Sequence, residues 1–128
     1  MVKIKALSLS GGSYLGFYML GALKHSFESG FIDYHNLKHL YGISVGSIMG
    51  VFTAMNMDWN MLTDYAIERP WHKLFGIKTS NIMNCIDNNG MYNIGLFYKA
   101  IDPVFNVFLE KHNVEDRNFR TITMKEFY

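Results

Sequence analysis

Cysteine is nearly absent: Cys85 is alone among 128 residues, so no disulfide can close within the chain. Nor does any C-x-x-C or spaced histidine pair offer the ligands of a structural zinc, and no metal is expected. A reducing, cytoplasmic setting follows from that usage. Charge is scarce too, at 18% of residues, with twelve basic against eleven acidic side chains and a net of +1. No basic block could neutralise a row of phosphates, which argues against a nucleic-acid partner. Repeats and linkers are also missing, so residues 1–128 read as part of one domain. What is plentiful is apolar: 49% hydrophobic and 16% aromatic residues, ample for a core.

Unbroken hydrophobic runs are missing as well. The start, "MVKIKALSLSGGSYLGFYMLGAL", has the lysines of a secretory signal, but Ser8, Ser10, Gly11, Gly12 and Ser13 interrupt its apolar core. Two uncharged stretches of 18 residues, Ala6 to Leu23 and Leu40 to Met57, reach membrane-spanning length. The second carries G-x-x-x-G spacings at Gly42, Gly46 and Gly50, which suit helix packing in a membrane. Each stretch has polar and turn-forming residues near its middle, where a spanning helix would carry Leu, Ile or Val. Buried strand-turn-helix units account for both better than a membrane hairpin does.

The periodicities support such units. "VKIKALSLS" suits a buried strand ending near Leu9, and "SGGSYLG" a glycine-rich turn. Leu15, Tyr18, Met19, Ala22, Leu23 and Phe27 recur at helical spacing up to Ser29, with Gly30 placed as the C-terminal cap. "NLKHLYGIS" then gives a second strand, a turn at Ser44 and a helix from Val45 to about Met55. Asp58 is an N-cap for a helix reaching Arg69, ended by Pro70. "DNNG" at Asp87 to Gly90 is a turn. Asp102 and Pro103 read as the cap and first position of a helix through Glu110, with a shorter helix before them from Ile94. Thr123 and Glu126 have capping-box spacing, which starts a last helix at Met124.

"YGISVGSIMG" contains G-x-S-x-G at Gly42, Ser44 and Gly46, between the second strand and its helix. A serine hydroxyl is a poor nucleophile unless a base activates it and N–H donors stabilise the oxyanion. Glycines on both sides allow the sharp turn that exposes such a serine at a helix N-terminus. The plain alternative is a helix-capping serine between packing glycines. Gly11, Gly12 and Ser13 form a second strand-to-helix loop whose N–H groups can converge on an anion. If the two strands are parallel neighbours, both loops open at one carboxyl edge.

Other uses of these residues fit less well. Gly11 and Gly16 hold the first and third positions of G-x-G-x-x-G, but Ser13 takes the middle one and no acidic residue ends the second strand. Ser44, Asp102 and His112 have the chain order of an α/β-hydrolase triad, although that fold places several strands ahead of its nucleophile. The aspartates Asp33, Asp58, Asp64, Asp87, Asp102 and Asp116 read as caps, turns or solvated residues. His25, His35, His39, His72 and His112 fall on helix surfaces or loops. No base can be assigned.

"LSGGSYLGFYMLGAL" resembles the "SGGGxRGxxxxGxL" start of patatin-like phospholipases, and "YGISVGSIMG" their "GxSxGS/A" nucleophile segment. "GMYNIGLFYKAIDPVF" and "TITMKEFY" are similar to the segments that follow in that family. The resemblance implies a three-layer α/β fold with a mainly parallel sheet. It also implies a lipid acyl hydrolase of phospholipase A type, needing no cofactor and using a Ser-Asp dyad. Ser44 would be the nucleophile, Gly11, Gly12 and Ser13 the oxyanion hole, and Gly16, Gly42 and Gly46 the motif glycines.

Three positions depart from that pattern. Ser13 replaces the third glycine of the loop, and Leu15 stands where the family commonly has arginine or lysine. The Asp-Gly pair that carries the dyad aspartate is absent. The chain is therefore expected to be the N-terminal portion of a patatin-like domain, truncated before its base and inactive by itself. It would act peripherally at membranes on phospholipid or other acyl lipids, and would need a C-terminal segment or a complementing chain. The alternative is a non-catalytic lipid- or membrane-interacting module.

Overall fold

The alternation ahead of Leu9 becomes a strand only over its last four residues. In the computed structural model, which describes residues 3–75, 94–114 and 117–127, β1 spans Ala6–Leu9 and β2 spans His39–Gly42. They pair in parallel with Ala6 opposite His39 and Leu9 opposite Gly42. Lys5 O extends the ladder by accepting from Lys38 N and His39 N. Between the strands runs α1, Gly16–Glu28, preceded by one 3-10 turn at Ser13–Leu15. After β2 come α2, Val45–Ala54, and α3, Trp59–Glu68. The class is mixed α/β with a parallel sheet, as expected.

Local signals explain the element ends. Gly30, at φ 73°, takes the left-handed conformation that closes α1. Asp58 Oδ1 accepts from Met61 N at 2.8 Å, the N-cap bond expected of it. Arg69, ahead of Pro70, is biased away from helical backbone, and α3 stops at Glu68.

The expectation of buried strands is met only at Leu9. Ala6, Ser8, His39 and Tyr41 are exposed, because among the described residues the sheet has two strands and α2 covers one face. The apolar stripe of α1 is also displaced from the expected one. Gly16, Leu20 and Leu23 are buried, whereas Tyr18 is 76% exposed and Leu15 49%. Gly16 has to face the start of α2, as shown below, and that contact fixes the helix rotation.

Chain contacts separate two compact units, Met1–Glu68 and Arg69–Tyr128. In the first, Leu20, Leu23, Met49, Phe52, Met55, Met57 and Leu62 are buried where α1 packs on α2 and α3. Phe27 stacks between Tyr34, at 4.1 Å, and Trp59, at 5.3 Å. Burial pushes the Tyr34 phenol from its usual 10.0 up to about 12, against a smaller lowering by the Trp59 indole. The folded state therefore holds the Tyr34 proton more tightly than the unfolded chain. Its contribution to stability is intact below pH 10 and is lost as pH rises towards about 12. Ultraviolet titration should show a late phenol ionisation near pH 12, and Tyr34→Phe should remove that phase.

The second unit holds α4, Trp71–Leu74, α5, Ile94–Lys111, and α6, Met124–Phe127. The two helices expected around Pro103 are one, α5, with the proline inside it. Ile101, Val104, Phe105, Phe108 and Leu109 make one buried face that continues past the exposed proline ring. Proline lacks the N–H that would bond Lys99 O four residues back. Arg69 Nη2 donates to that carbonyl instead. Asp102, expected as a cap, pairs with Arg120 at 3.4 Å. The last helix begins at Met124, as the capping-box spacing places it. The expected turn at Asp87 to Gly90, with Cys85 and Asp116, lies outside the described residues. Among the described residues no helix is long and apolar enough to cross a membrane.

Candidate active site

Both glycine-bearing turns follow strands that lie side by side, so both emerge at the same end of the sheet. After β1 the chain passes through Ser10 and Gly11 to the turn at Gly12, where Leu15 N donates to Gly12 O at 2.9 Å. After β2, Ile43 N donates to Leu9 O at 3.1 Å, and the chain reverses at Ser44 into α2. Gly46 N and Ser47 N close that reversal on Ile43 O and Ser44 O, each at 2.9 Å.

Ser44 sits at φ 55° and ψ −127°, a region that non-glycine residues rarely occupy and that costs about 1–3 kcal/mol. Its hydroxyl makes no cap bond on α2 and the residue is exposed, which removes the plain capping explanation of the serine. Close packing holds the reversal in place. A β-carbon at Gly42 would lie 2.6 Å from Gly46 O and 2.7 Å from Ser47 Cα. One at Gly46 would collide with Leu9 O and stand 2.6 Å from Ser10 O. One at Gly16 would run into Val45 Cγ2, so the starts of α1 and α2 abut.

The loop after β1 faces this serine: a β-carbon at Gly11 would be 3.4 Å from Ser44 Cβ and 3.5 Å from Ile43 O. Ser13 also has a left-handed backbone, at φ 50°, which is the condition under which a serine there is strained. The N–H groups of Gly11, Gly12, Ser13 and Val45 donate to no backbone carbonyl among the described residues. An exposed serine and N–H groups without a backbone acceptor among the described residues thus lie on two adjoining turns. That arrangement can accommodate an ester carbonyl beside the serine.

The fold brings together Gly11, Gly16, Gly42, Ser44 and Gly46. It employs three of the described aspartates for other work. Asp33 accepts from His35 N at 2.9 Å and Asn36 Nδ2 at 2.7 Å, Asp58 caps α3, and Asp102 meets Arg120. Asp64 is exposed on α3. His39 starts β2, at the end away from Ser44, and His112 packs on Phe108 at 4.5 Å. Ile43 escaped the sequence reading of the site, and Leu15 entered it only as a departure from the family pattern and as one position of a helical stripe. Their signal was faint: single aliphatic positions among glycines and serines, inside motifs usually read for their small residues.

A family model described as patatin-like phospholipase matches residues 7–127. An uncharacterized protein of Acanthamoeba polyphaga mimivirus is 30% identical over 120 residues, which cover 94% of this chain and 39% of the viral protein. The chain thus spans well under half the length of that relative. No solved structure matches the chain.

Proposed function

The chain belongs to the patatin-like phospholipase family, and we propose from that footing that it carries the nucleophile and oxyanion loop of a lipid acyl hydrolase. In this reading Ser44 Oγ attacks the ester carbonyl of a phospholipid or other acyl lipid. The N–H groups of Gly11, Gly12 and Ser13 take the negative charge that develops on the carbonyl oxygen. The alcohol leaves, and water then releases the fatty acid from Ser44. The observation that carries the reading is the left-handed backbone of Ser44 held against Gly11, since strain of this kind persists where the surrounding structure over-determines it.

The base is the missing part. No Asp-Gly pair occurs in the sequence, and three of the described aspartates are tied into caps, turns or an ion pair, with Asp64 exposed on α3. We therefore assign the dyad carboxylate to a segment outside these residues or to a complementing chain, and expect little turnover from the 128 residues alone. The setting would be cytoplasmic and peripheral at membranes. A non-catalytic lipid-binding role is the second reading, favoured by the exposed Tyr14, Phe17 and Tyr18.

Phospholipid hydrolysis by the complete reading frame, followed as released fatty acid, decides between them. Ser44→Ala should lower the rate by at least about a thousandfold, as loss of a covalent nucleophile does. Hydrolysis undiminished in Ser44→Ala would end the catalytic reading.

A further inference from the structure

Two aliphatic side chains lie close to the Gly11 and Gly12 turn, and both are exposed. Leu15 reaches back over Gly12, its Cδ1 3.3 Å and its Cγ 3.6 Å from the position a β-carbon would take there. Ile43 lies against Gly11, its Cγ2 3.9 Å from the equivalent position there. Leu15 is 49% exposed and Ile43 72% exposed, so neither is spent on the core. Ile43 immediately precedes Ser44, and Leu15 ends the 3-10 turn that begins at Ser13. An acyl ester with its carbonyl over Gly11 can lay its chain along either of them.

No formal charge lies anywhere in Ala6 to Leu23 or Leu40 to Met57, the two stretches that build both turns. No side chain of those stretches offers a counter-ion along the path of the alkyl chain, so a charged group there would leave water without an ionic partner. Contact with an alkyl chain, by contrast, gains with each methylene removed from water. We infer that Leu15 and Ile43 are the specificity-determining contacts of this site, seating the acyl chain and selecting long, uncharged acyl groups. The inference rests on the hydrolase reading for its carbonyl position, but it concerns binding and can be measured without turnover.

Diethyl butylphosphonate and diethyl octylphosphonate, which are neutral and unreactive, serve as probes. They are titrated into the chain with leucine and isoleucine methyls isotopically labelled for NMR. Full burial of one methylene is worth about fourfold in affinity, so four methylenes partly buried on an open surface should give the octyl ester at least about a tenfold advantage. Methyl shifts should centre on Leu15 and Ile43. Leu15→Ser and Ile43→Ser should each reduce the advantage and together bring it below about threefold, while Leu15→Met and Ile43→Leu retain it. Circular dichroism of each variant establishes that the fold persists, as expected for exposed positions. An unchanged advantage in the double serine variant, shifts centred elsewhere, or no binding of either ester would each overturn the inference. Ser44→Ala separates the two readings: it should keep the chain-length advantage, whereas hydrolysis that survives it counts against the nucleophile alone.

Discussion

Replacing Ser44 with glycine is expected to raise the stability of the fold by about 1 kcal/mol and, in the hydrolase proposed above, to remove the nucleophile of acyl transfer. The two effects share one cause. At φ 55° and ψ −127° a side chain is a steric burden of about 1–3 kcal/mol, and glycine removes it. Little is lost in exchange, because the hydroxyl caps nothing and glycine at an N-cap costs only a few tenths of a kcal/mol. The greater freedom of glycine in the unfolded chain returns about 0.4–1 kcal/mol of the gain. Ser44→Ala lacks the stabilising half, since it keeps a β-carbon in the same conformation. Urea unfolding of the three proteins should therefore rank glycine above serine and alanine. A destabilised Ser44→Gly would mean that the turn is not held under strain.

Gly46→Ala should be damaging on a larger scale, by about 3 kcal/mol or more, at the upper end of what overpacking costs. The added methyl would meet Leu9 O and Ser10 O, which are backbone atoms of β1 and its turn and have no rotamer to escape into. Relief requires α2 to move off the sheet, carrying Ser44 away from Gly11. Gly21 provides the internal control, because it lies within α1 with nothing inside 4 Å of a β-carbon. Gly21→Ala should stabilise by about 0.5–1 kcal/mol, the gain of replacing glycine in a helix interior. Opposite signs for two glycine-to-alanine changes in one chain, read from denaturant midpoints, would isolate close packing as the reason for the motif glycine.

Much of this arrangement was legible in the residues. The repeated order of strand, glycine turn and helix located both turns, and Asp58, Gly30 and Thr123 marked helix ends through local chemistry that operates wherever the chain goes. What misled was tertiary. Tyr18 and Ala22 fit a helical stripe as well as Leu20 does, and only the collision awaiting any side chain at Gly16 against Val45 decides which face turns inward. Pro103 is a strong local stop signal, yet α5 continues through it. The apolar face from Ile101 to Leu109 is buried on both sides of the proline, and Arg69 satisfies Lys99 O, which the proline leaves without a donor. At the site, the small residues were legible because a motif names them. The role inferred for Leu15 and Ile43 was not, since it comes from where two turns meet rather than from spacing.

In the proposed hydrolase Ser44 is a nucleophile aimed across Gly11. Treatment of the complete reading frame with a long-chain alkyl fluorophosphonate, followed by peptide mass mapping, tests this most directly. The expected adduct is a single phosphonylated residue, Ser44, absent from Ser44→Gly. An adduct on Ser10, Ser13 or Ser47, or lipid hydrolysis that proceeds while Ser44 stays unmodified, would contradict it.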